Sequence, residues 1–386
     1  HNWHNYRRWI QLPNNRRMKN NKQSIGDLGQ HWTPNEIVDK MISLKRNTGK
    51  TLEPSAGSGR FVNKIKDITA IEIDQNVVPP DLLSAYNIMN FFDYPEYHKF
   101  DSIIGNPPYV AGNLLLGEWF SDWKGICPRS ANSYLHFIDK CINHLSENGE
   151  IIFIIPSTFF SDTSRGKELR KKMVKLGAFT DVFYCSDVKW EKAAIDTLIF
   201  RWEKGLKQDT VLTNRGNKTL FESNGFIWLI DFEPSSVMNA WFKPTVGSVP
   251  SRIAIETGGD TKYFCNGQMI GVDESNKKTW SRVHDTKYGP KIFFNGGPSR
   301  RWPMFYSGNY DKHLNHVLLP KKELNIEIIE SVLNDWFKKN GEKLGLIKGG
   351  RWSCGIGQID NCPIDKELNQ IFIDSLMNKG EVNEGQ

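Results

Sequence analysis

The sequence lacks the patterns that mark metal-binding, disulfide-stabilised and membrane-spanning proteins. Its six cysteines are scattered over 386 residues without a CxxC pair, which argues against a zinc site and against a disulfide framework. The longest apolar runs, such as residues 151–156, are too short to cross a bilayer. No secretory signal pattern opens the chain. We therefore expect a cytoplasmic globular protein with reduced, buried thiols, no bound metal and no membrane contact.

Acidic residues are missing from the first stretch of the chain. Residues 1–25 carry several arginines and lysines but no aspartate or glutamate, and the whole chain has a formal net charge of +6. This basic N-terminal arm is either a solvated extension or a segment that contacts phosphates. The mild overall basicity permits a polyanionic partner but does not require one.

Alternating helix and strand patterns predict a mostly parallel sheet covered by helices, with an antiparallel hairpin at one edge. Thr33 is expected to cap a helix that begins at Pro34, with Glu36 completing a capping box. Glycines at residues 57–59 are expected to lead from a strand into a helix. The strands are predicted at 51–52, 68–73, 101–105, 151–155, 179–185 and 195–202, the last two forming the hairpin.

The alternation is lost near Gly205, and glycine, asparagine and aromatic residues become frequent in the remaining chain. We therefore predict a catalytic α/β domain over residues 26–207. We predict that residues 208–386 form a second domain.

A glycine-rich turn with an acidic residue follows the first predicted strand, at residues 53–59. Gly57 and Gly59 are not followed by the third glycine of a dinucleotide fingerprint, and the lysine of a P-loop is absent. A ligand without a pyrophosphate is therefore expected. Glu53 suits a cationic ligand, although a plain structural turn remains the alternative.

Glu72 stands at the end of the next predicted strand. A carboxylate at that position can accept both hydroxyls of a ribose, as the acidic residue of doubly wound folds does. Strand ends often carry acidic residues, so a solvated carboxylate remains the alternative.

A rigid polar segment, Asn106 to Tyr109, follows the strand at 101–105. Two consecutive prolines fix the direction of the Pro107 carbonyl, and the Asn106 side-chain oxygen is a second acceptor. Together they can hold both hydrogens of an amino group and leave its lone pair available for attack on a methyl. Tyr109 offers a flat face on which a base can stack.

These motifs resemble the adenine-N6-specific amino-group DNA methyltransferases of gamma order, the family with the tetrapeptide Asn-Pro-Pro-Tyr. The resemblance runs from about residue 29 to 205 and implies a class I, Rossmann-like S-adenosylmethionine-dependent methyltransferase fold with a C-terminal target-recognition domain. Asn90 replaces the usual aspartate, which keeps an acceptor but removes a charge. The implied cofactor contacts are Thr33, Glu53, Ser55, Gly57, Glu72, Ile73, Asn90, Phe91, Asn106, Pro108 and Phe137.

The resemblance also implies a mechanism in which an adenine is flipped out of double-stranded DNA. Asn106 and Pro107 hold its amino group, while Tyr109 and Trp202 stack on its two faces. The loop 111–129, which includes Trp119, Trp123, Lys124 and Arg129, either closes over the site, tracks DNA or is an ordinary surface excursion. The candidate DNA contacts are Arg129, Arg300, Arg301 and Arg351, with Gln358 as a further loop residue that could read a base.

Other acceptors stay open at this point: cytosine N4, an RNA amino group or a protein glutamine. A DNA-binding relative without catalytic activity is the alternative from another class, but the intact motifs argue against it. The expected setting is a restriction-modification system, with a monomeric methyltransferase and a cognate endonuclease, if there is one, acting separately.

Overall fold

The computed structural model describes residues 32–111, 120, 122–160, 164–185, 196–246, 259–265, 268–274, 287–288, 292–295, 306–307, 315–348, 351–352 and 355–377. The predicted N-terminal arm, Trp119, Arg300 and Arg301 lie outside these residues, as does the side chain of Arg351.

A ten-stranded sheet forms the centre of the molecule. Its strands are β1 (Thr51–Glu53), β2 (Ile68–Glu72), β3 (Tyr86–Ile88), β4 (Phe100–Gly105), β5 (Leu145–Pro156), β6 (Gly177–Tyr184), β7 (Thr197–Lys204), β8 (Thr210–Thr213), β9 (Gly216–Ser223) and β10 (Phe226–Ile230). They lie in the order β10-β9-β8-β6-β7-β5-β4-β1-β2-β3. Strands β3, β2, β1, β4 and β5 run parallel, and β7 is antiparallel to both β5 and β6. The first seven strands therefore have the order 3-2-1-4-5-7-6 of a class I methyltransferase, with the predicted antiparallel hairpin.

Helices cover both faces of this sheet because its central strands are apolar on both sides. In β5, Ile151, Phe153 and Ile155 pack in the core beneath α2 (Ser133–His144) and α3 (Lys167–Leu176). Ile152 and Ile154 point the other way and pack with the core beneath α1 (Asn35–Ser43). The period of two in a strand accounts for this division, and the fold class is the α/β class that the sequence predicts.

A second hydrophobic core lies beyond the large sheet and shares β10 with it. Ile227 packs in the core of the large sheet, whereas Phe226, Trp228 and Ile230 pack in the second core. Among the described residues, the further helices are α4 (Ile326–Asn340), α5 (Ile356–Asp360) and α6 (Lys366–Met377). The remaining strands are β11 (Pro234–Val237), β12 (Phe242–Val246), β13 (Gly259–Cys265), β14 (Gln268–Glu274), β15 (Ile292–Asn295), β16 (Tyr306–Ser307), β17 (Asn315–Pro320), β18 (Ile347–Lys348), β19 (Arg351–Trp352) and β20 (Pro363–Asp365).

The sheet continues past the predicted domain boundary at residues 207/208. β8 pairs with β6, and β9 and β10 extend the same sheet to Ile230. The loss of helix–strand alternation near Gly205 marks the start of β8, β9 and β10, which follow one another in the chain with no helix between them. The division into two domains stays a prediction, and its boundary fits better after β10.

Two local predictions are wrong. Pro34, not Thr33, is the N-cap of α1, and no side chain caps that helix. Residues 57–64 form successive turns instead of a helix. Instead of capping the helix, the Thr33 hydroxyl contacts the side chain of Asn106.

Two findings concern the cysteines and the helices of the part of the chain that the structure describes. The four cysteines recorded there as free, Cys127, Cys141, Cys185 and Cys362, are all buried. Within the same residues, no helix combines the length and apolar character needed to cross a membrane.

Candidate active site

A cleft that is partly open to solvent lies where β1, β2, β3 and β4 end. Parallel strands bring their carboxyl ends to one edge, which is the usual ligand-binding edge of such sheets. All eleven residues predicted to contact the cofactor line this cleft. They are Thr33, Glu53, Ser55, Gly57, Glu72, Ile73, Asn90, Phe91, Asn106, Pro108 and Phe137.

The glycine-rich turn is compact because two of its glycines have positive φ angles. Gly57 has φ +51° and Gly59 has φ +79°. A Cβ atom on Gly59 would lie 2.6 Å from the Tyr86 hydroxyl, so glycine is required there for space as well as for backbone conformation. The turn directs the Gly57 N–H at the Glu72 carboxylate, 2.8 Å away. The turn and the end of β2 are thereby joined.

Glu53 brings a buried carboxyl group into the cleft. The residue is 3% exposed, and its Oε2 atom has no hydrogen-bond donor among the described residues. Burial, and then the charge of Glu72, raises the pKa of the Glu53 carboxyl well above its usual value. A buried carboxylate is costly without a partner. This side chain therefore fits a ligand that brings a cation or a hydrogen-bond donor.

Glu72 differs from Glu53 because the backbone already satisfies part of its carboxylate. Oε2 accepts from the Gly57 N–H, and Oε1 accepts from the Asp74 N–H at 2.9 Å. Burial nevertheless raises the pKa of Glu72, while these N–H groups lower it. Each carboxylate oxygen can accept more than one hydrogen bond. Both oxygens therefore keep the capacity to accept a ligand hydroxyl.

Aromatic side chains form one wall of the cleft. Phe91 and Phe137 stack with ring centroids 5.2 Å apart. The Asn90 side-chain oxygen accepts from the Phe92 N–H at 3.0 Å, so Asn90 caps the short turn that follows β3. The buried Lys140 ammonium donates to the Phe92 carbonyl at 2.9 Å and also to the carbonyl of Tyr94. Lys140 is not among the predicted site residues, and its only sequence signal is its position on α2, three residues after Phe137.

The predicted catalytic segment leaves β4 beside this cleft. The Asn106 amide nitrogen lies 3.2 Å from the Thr33 hydroxyl, and the Ser55 hydroxyl donates to the Asn106 carbonyl at 3.3 Å. The Tyr109 hydroxyl donates to the Ile154 carbonyl at 2.7 Å. This bond holds the half-buried tyrosine ring beside the sheet. Pro107 is buried and is not among the residues that line the cleft.

The predicted stacking role of Trp202 is wrong. Trp202 lies on β7, is 0% exposed and packs in the core. Its indole N–H donates to the Met173 carbonyl on α3 at 3.1 Å. Since β7 lies between β5 and β6 and is covered on both faces, Trp202 offers no surface to a base.

The cleft also contains residues that the sequence analysis did not single out. Trp32, Arg60, Phe61 and Met89 line it. The Trp32 ring lies over the glycine turn, and a Cβ atom on Gly57 would be 3.2 Å from it. Trp32 directly precedes Thr33 in the chain, but an isolated tryptophan carries no recognisable motif.

The candidate DNA contacts have mixed outcomes. Arg129 is exposed, and its guanidinium lies 5.4 Å from the centre of the Phe120 ring. Gln358 lies on α5 and is 6% exposed, and its side-chain oxygen accepts from the Gly355 N–H. The prediction that Gln358 lies in a base-reading loop is therefore wrong. Trp123 packs on Phe92 and donates to Glu96, which anchors the end of the loop 111–129 to the body of the domain.

The strand order and the cleft define a class I S-adenosylmethionine-dependent methyltransferase fold. Residues 39–189 match the family model described as Eco57I restriction-modification methylase.

Three similar proteins illustrate the range of relatives. Type II methyltransferase M.HincII of Haemophilus influenzae is 34% identical over 198 residues, which cover 48% of this chain and 39% of that protein. The tRNA1(Val) (adenine(37)-N6)-methyltransferase of Actinobacillus pleuropneumoniae is 29% identical over 140 residues, covering 35% of this chain and 52% of that protein. A structure of the type IIL restriction-modification enzyme MmeI in complex with DNA has a TM-score of 0.48 at 10% identity, covering 91% of this chain and 68% of that one. The chain spans about two fifths of the length of M.HincII.

Proposed function

We propose that this chain transfers a methyl group from S-adenosylmethionine to the N6 amino group of adenine in DNA, as the methyltransferase of a restriction-modification system. The observation that carries the proposal is the cleft itself. It combines a buried carboxyl group that lacks a donor, a second acidic strand end, an aromatic wall and Asn106. The family description of residues 39–189 supports the setting.

The cleft residues fit the parts of S-adenosylmethionine. Glu53 would hold the ammonium group, Glu72 would accept the ribose hydroxyls, and Phe91 with Phe137 would contact the adenine ring. When bound, the cofactor supplies an activated methyl group on a sulfonium. The charge of Glu53 and the shape of the glycine turn orient it with respect to Asn106, which lies in the same cleft.

The acceptor amino group would be held by the catalytic segment. The Asn106 side-chain oxygen and the Pro107 carbonyl accept its two hydrogens, so that the nitrogen lone pair is available. The nitrogen forms a bond to the methyl carbon, the carbon–sulfur bond breaks, and one amino proton passes to solvent. Tyr109 provides one stacking face for a flipped base. Most of the rate enhancement then comes from positioning and electrostatics.

The test is transfer of labelled methyl from S-adenosylmethionine to unmethylated genomic DNA, followed by nucleoside analysis. We expect N6-methyladenine label that disappears in Asn106→Ala. Asn143→Ala is the matched control. The Asn143 side chain donates a hydrogen bond of 3.1 Å to Glu96, and Asn143 does not line the cleft. Label in N4-methylcytosine would overturn the adenine assignment. No label in DNA would overturn the proposal.

RNA is the second candidate acceptor, because one relative is a tRNA adenine-N6 methyltransferase. The match to that relative covers 35% of this chain. The same assay with unmodified tRNA in place of DNA distinguishes the two. A higher kcat/KM for tRNA than for DNA would identify RNA, not DNA, as the preferred substrate.

A further inference from the structure

One serine forms three hydrogen bonds with the segment that follows the catalytic asparagine. Ser133 begins α2 and is 0% exposed. Its N–H donates to the Val110 carbonyl at 2.9 Å, and its hydroxyl accepts from the Val110 N–H at 2.8 Å. The same hydroxyl also donates to the Pro108 carbonyl. This residue therefore joins α2 directly to the segment Asn106 to Tyr109.

The direction of each bond is determined by its partner. A carbonyl can only accept and a backbone N–H can only donate, so the Ser133 hydroxyl donates to Pro108 and accepts from Val110. Neither Pro107 nor Pro108 has an N–H with which to form bonds of its own. The segment therefore depends on side chains from elsewhere to hold its conformation, and Ser133 supplies two of those contacts.

Holding the Pro108 carbonyl also determines where the Pro107 carbonyl points. The peptide group between the two prolines is planar, and the ring of Pro108 fixes its φ angle. Only the ψ angle of Pro108 remains free between the two carbonyls. The hydroxyl of Ser133 removes that freedom. Among the described residues, the Pro108 carbonyl is engaged, whereas no donor reaches the Pro107 carbonyl.

The same helix reaches the cofactor side of the site. Phe137 lies one turn after Ser133, lines the cleft and stacks on Phe91. Helix α2 thus contacts the acceptor-binding segment at its first residue and the cleft at its second turn. A rigid helix is well suited to keep these two parts at a fixed separation.

We propose that Ser133 is a positioning residue for methyl transfer, whose hydroxyl locks the Pro108 carbonyl so that the Pro107 carbonyl and the Asn106 amide face the acceptor amino group. This inference rests on the proposed function. Ser133 itself touches neither the acceptor nor the cofactor. Its loss therefore slows the transfer step but leaves cofactor binding unchanged.

The experiment compares Ser133→Ala with Ser146→Ala. Ser146 is the matched control because its hydroxyl also contacts two acceptors, the Phe100 carbonyl and the Asp101 carboxylate, at the opposite edge of the sheet. For each variant we would measure the single-turnover rate at saturating DNA and cofactor, the Kd of S-adenosylmethionine, and the urea midpoint of unfolding.

We expect the rate of Ser133→Ala to fall about ten- to a hundredfold, as a small misplacement of reacting groups does, while the cofactor Kd changes less than about twofold. Ser146→Ala should keep the wild-type rate at a similar loss of stability. Ser133→Cys replaces the hydroxyl by a thiol, which is larger and a weaker donor, and its rate should lie between those of serine and alanine. It also serves as the test variant if Ser133→Ala does not fold.

A wild-type rate in Ser133→Ala, or in Ser133→Cys where alanine fails to fold, would overturn the positioning role. An equal loss of rate in Ser146→Ala would assign the effect to stability and would also overturn it. If the wild-type protein transfers no methyl to DNA or tRNA, the proposed function fails first. The two failures are therefore distinguishable.

Discussion

The Asn106 amide nitrogen lies 3.2 Å from the Thr33 hydroxyl and joins the end of β4 to the residue before the N-cap of α1. Thr33 is 5% exposed and lines the cleft. The contact engages the amide nitrogen of Asn106, so the amide oxygen points away from Thr33. A threonine that sequence analysis assigns to helix capping and to the cofactor thus also contacts the catalytic side chain.

Removing this contact should slow methyl transfer. A neutral hydrogen bond contributes about 0.5–1.5 kcal/mol, so Thr33→Val should lower kcat by about two- to tenfold through greater freedom of the Asn106 amide. Thr33→Ser keeps the hydroxyl and should retain the wild-type kcat. Steady-state assays at saturating DNA give kcat, and fluorescence titration gives the cofactor Kd. A loss confined to cofactor Kd would contradict a role at Asn106.

Cofactor binding should release a proton from Glu53. Because the folded-state pKa of Glu53 is raised, its contribution to stability is fully present below the unfolded pKa and is lost as pH rises through the folded value. A bound cation favours the carboxylate. Affinity for S-adenosylmethionine should therefore increase with pH between the ordinary carboxyl pKa and the raised one.

Calorimetry in two buffers with different ionisation enthalpies measures this proton release. The observed heats should differ between the buffers for the wild-type protein within that pH range. Glu53→Gln should bind S-adenosylmethionine more weakly and should lose the proton release that comes from Glu53. Any proton release from Glu72 should be the same as in the wild type. Identical heats in both buffers would show that Glu53 is already ionised before the ligand binds.

Sequence patterns predicted which residues meet at the cleft where one chain segment carries the whole signal. Glu53, Glu72 and Asn106 each stand at or just after the end of an apolar run. The order of helices and strands brings such ends to one edge. Ser133 and Lys140 could not be predicted in this way. Their roles arise from bonds between α2 and loops tens of residues away in the chain.

Trp202 shows a different limit of sequence patterns. The alternation along β7 assigns Leu198, Phe200 and Trp202 to one face of the sheet, and all three pack in the same core. Alternation does not reveal which strands are interior, and an interior strand covered on both faces exposes no side chain. Likewise, the loss of alternation at Gly205 gave no sign that the sheet continues through β10.

The glycine turn should tolerate alanine poorly at residue 59. Gly59→Ala places a Cβ atom 2.6 Å from the Tyr86 hydroxyl at φ +79°, and Gly216→Ala has φ +84° with no atom within 4 Å. Both variants incur the backbone strain of about 1–2 kcal/mol. Only Gly59→Ala adds a steric clash.

Urea denaturation of the two variants separates these costs. Gly59→Ala should lose more free energy of unfolding than Gly216→Ala, and it alone should weaken S-adenosylmethionine binding. Equal losses of stability with unchanged cofactor Kd in both would mean that the turn relaxes around the added methyl.

Trp202→Phe should separate a core role from a stacking role. The variant keeps an aromatic ring but loses the indole bond to Met173 and part of the side-chain volume. The free energy of unfolding should fall by about 1–3 kcal/mol, while kcat stays within about twofold of wild type. Tyr109→Ala, in contrast, should lower the single-turnover rate because it removes the stacking face, worth about 1–3 kcal/mol for one base. If Trp202→Phe slowed transfer as much as Tyr109→Ala with an unchanged urea midpoint, the tryptophan would have to reach the acceptor base, contrary to its burial beneath α3.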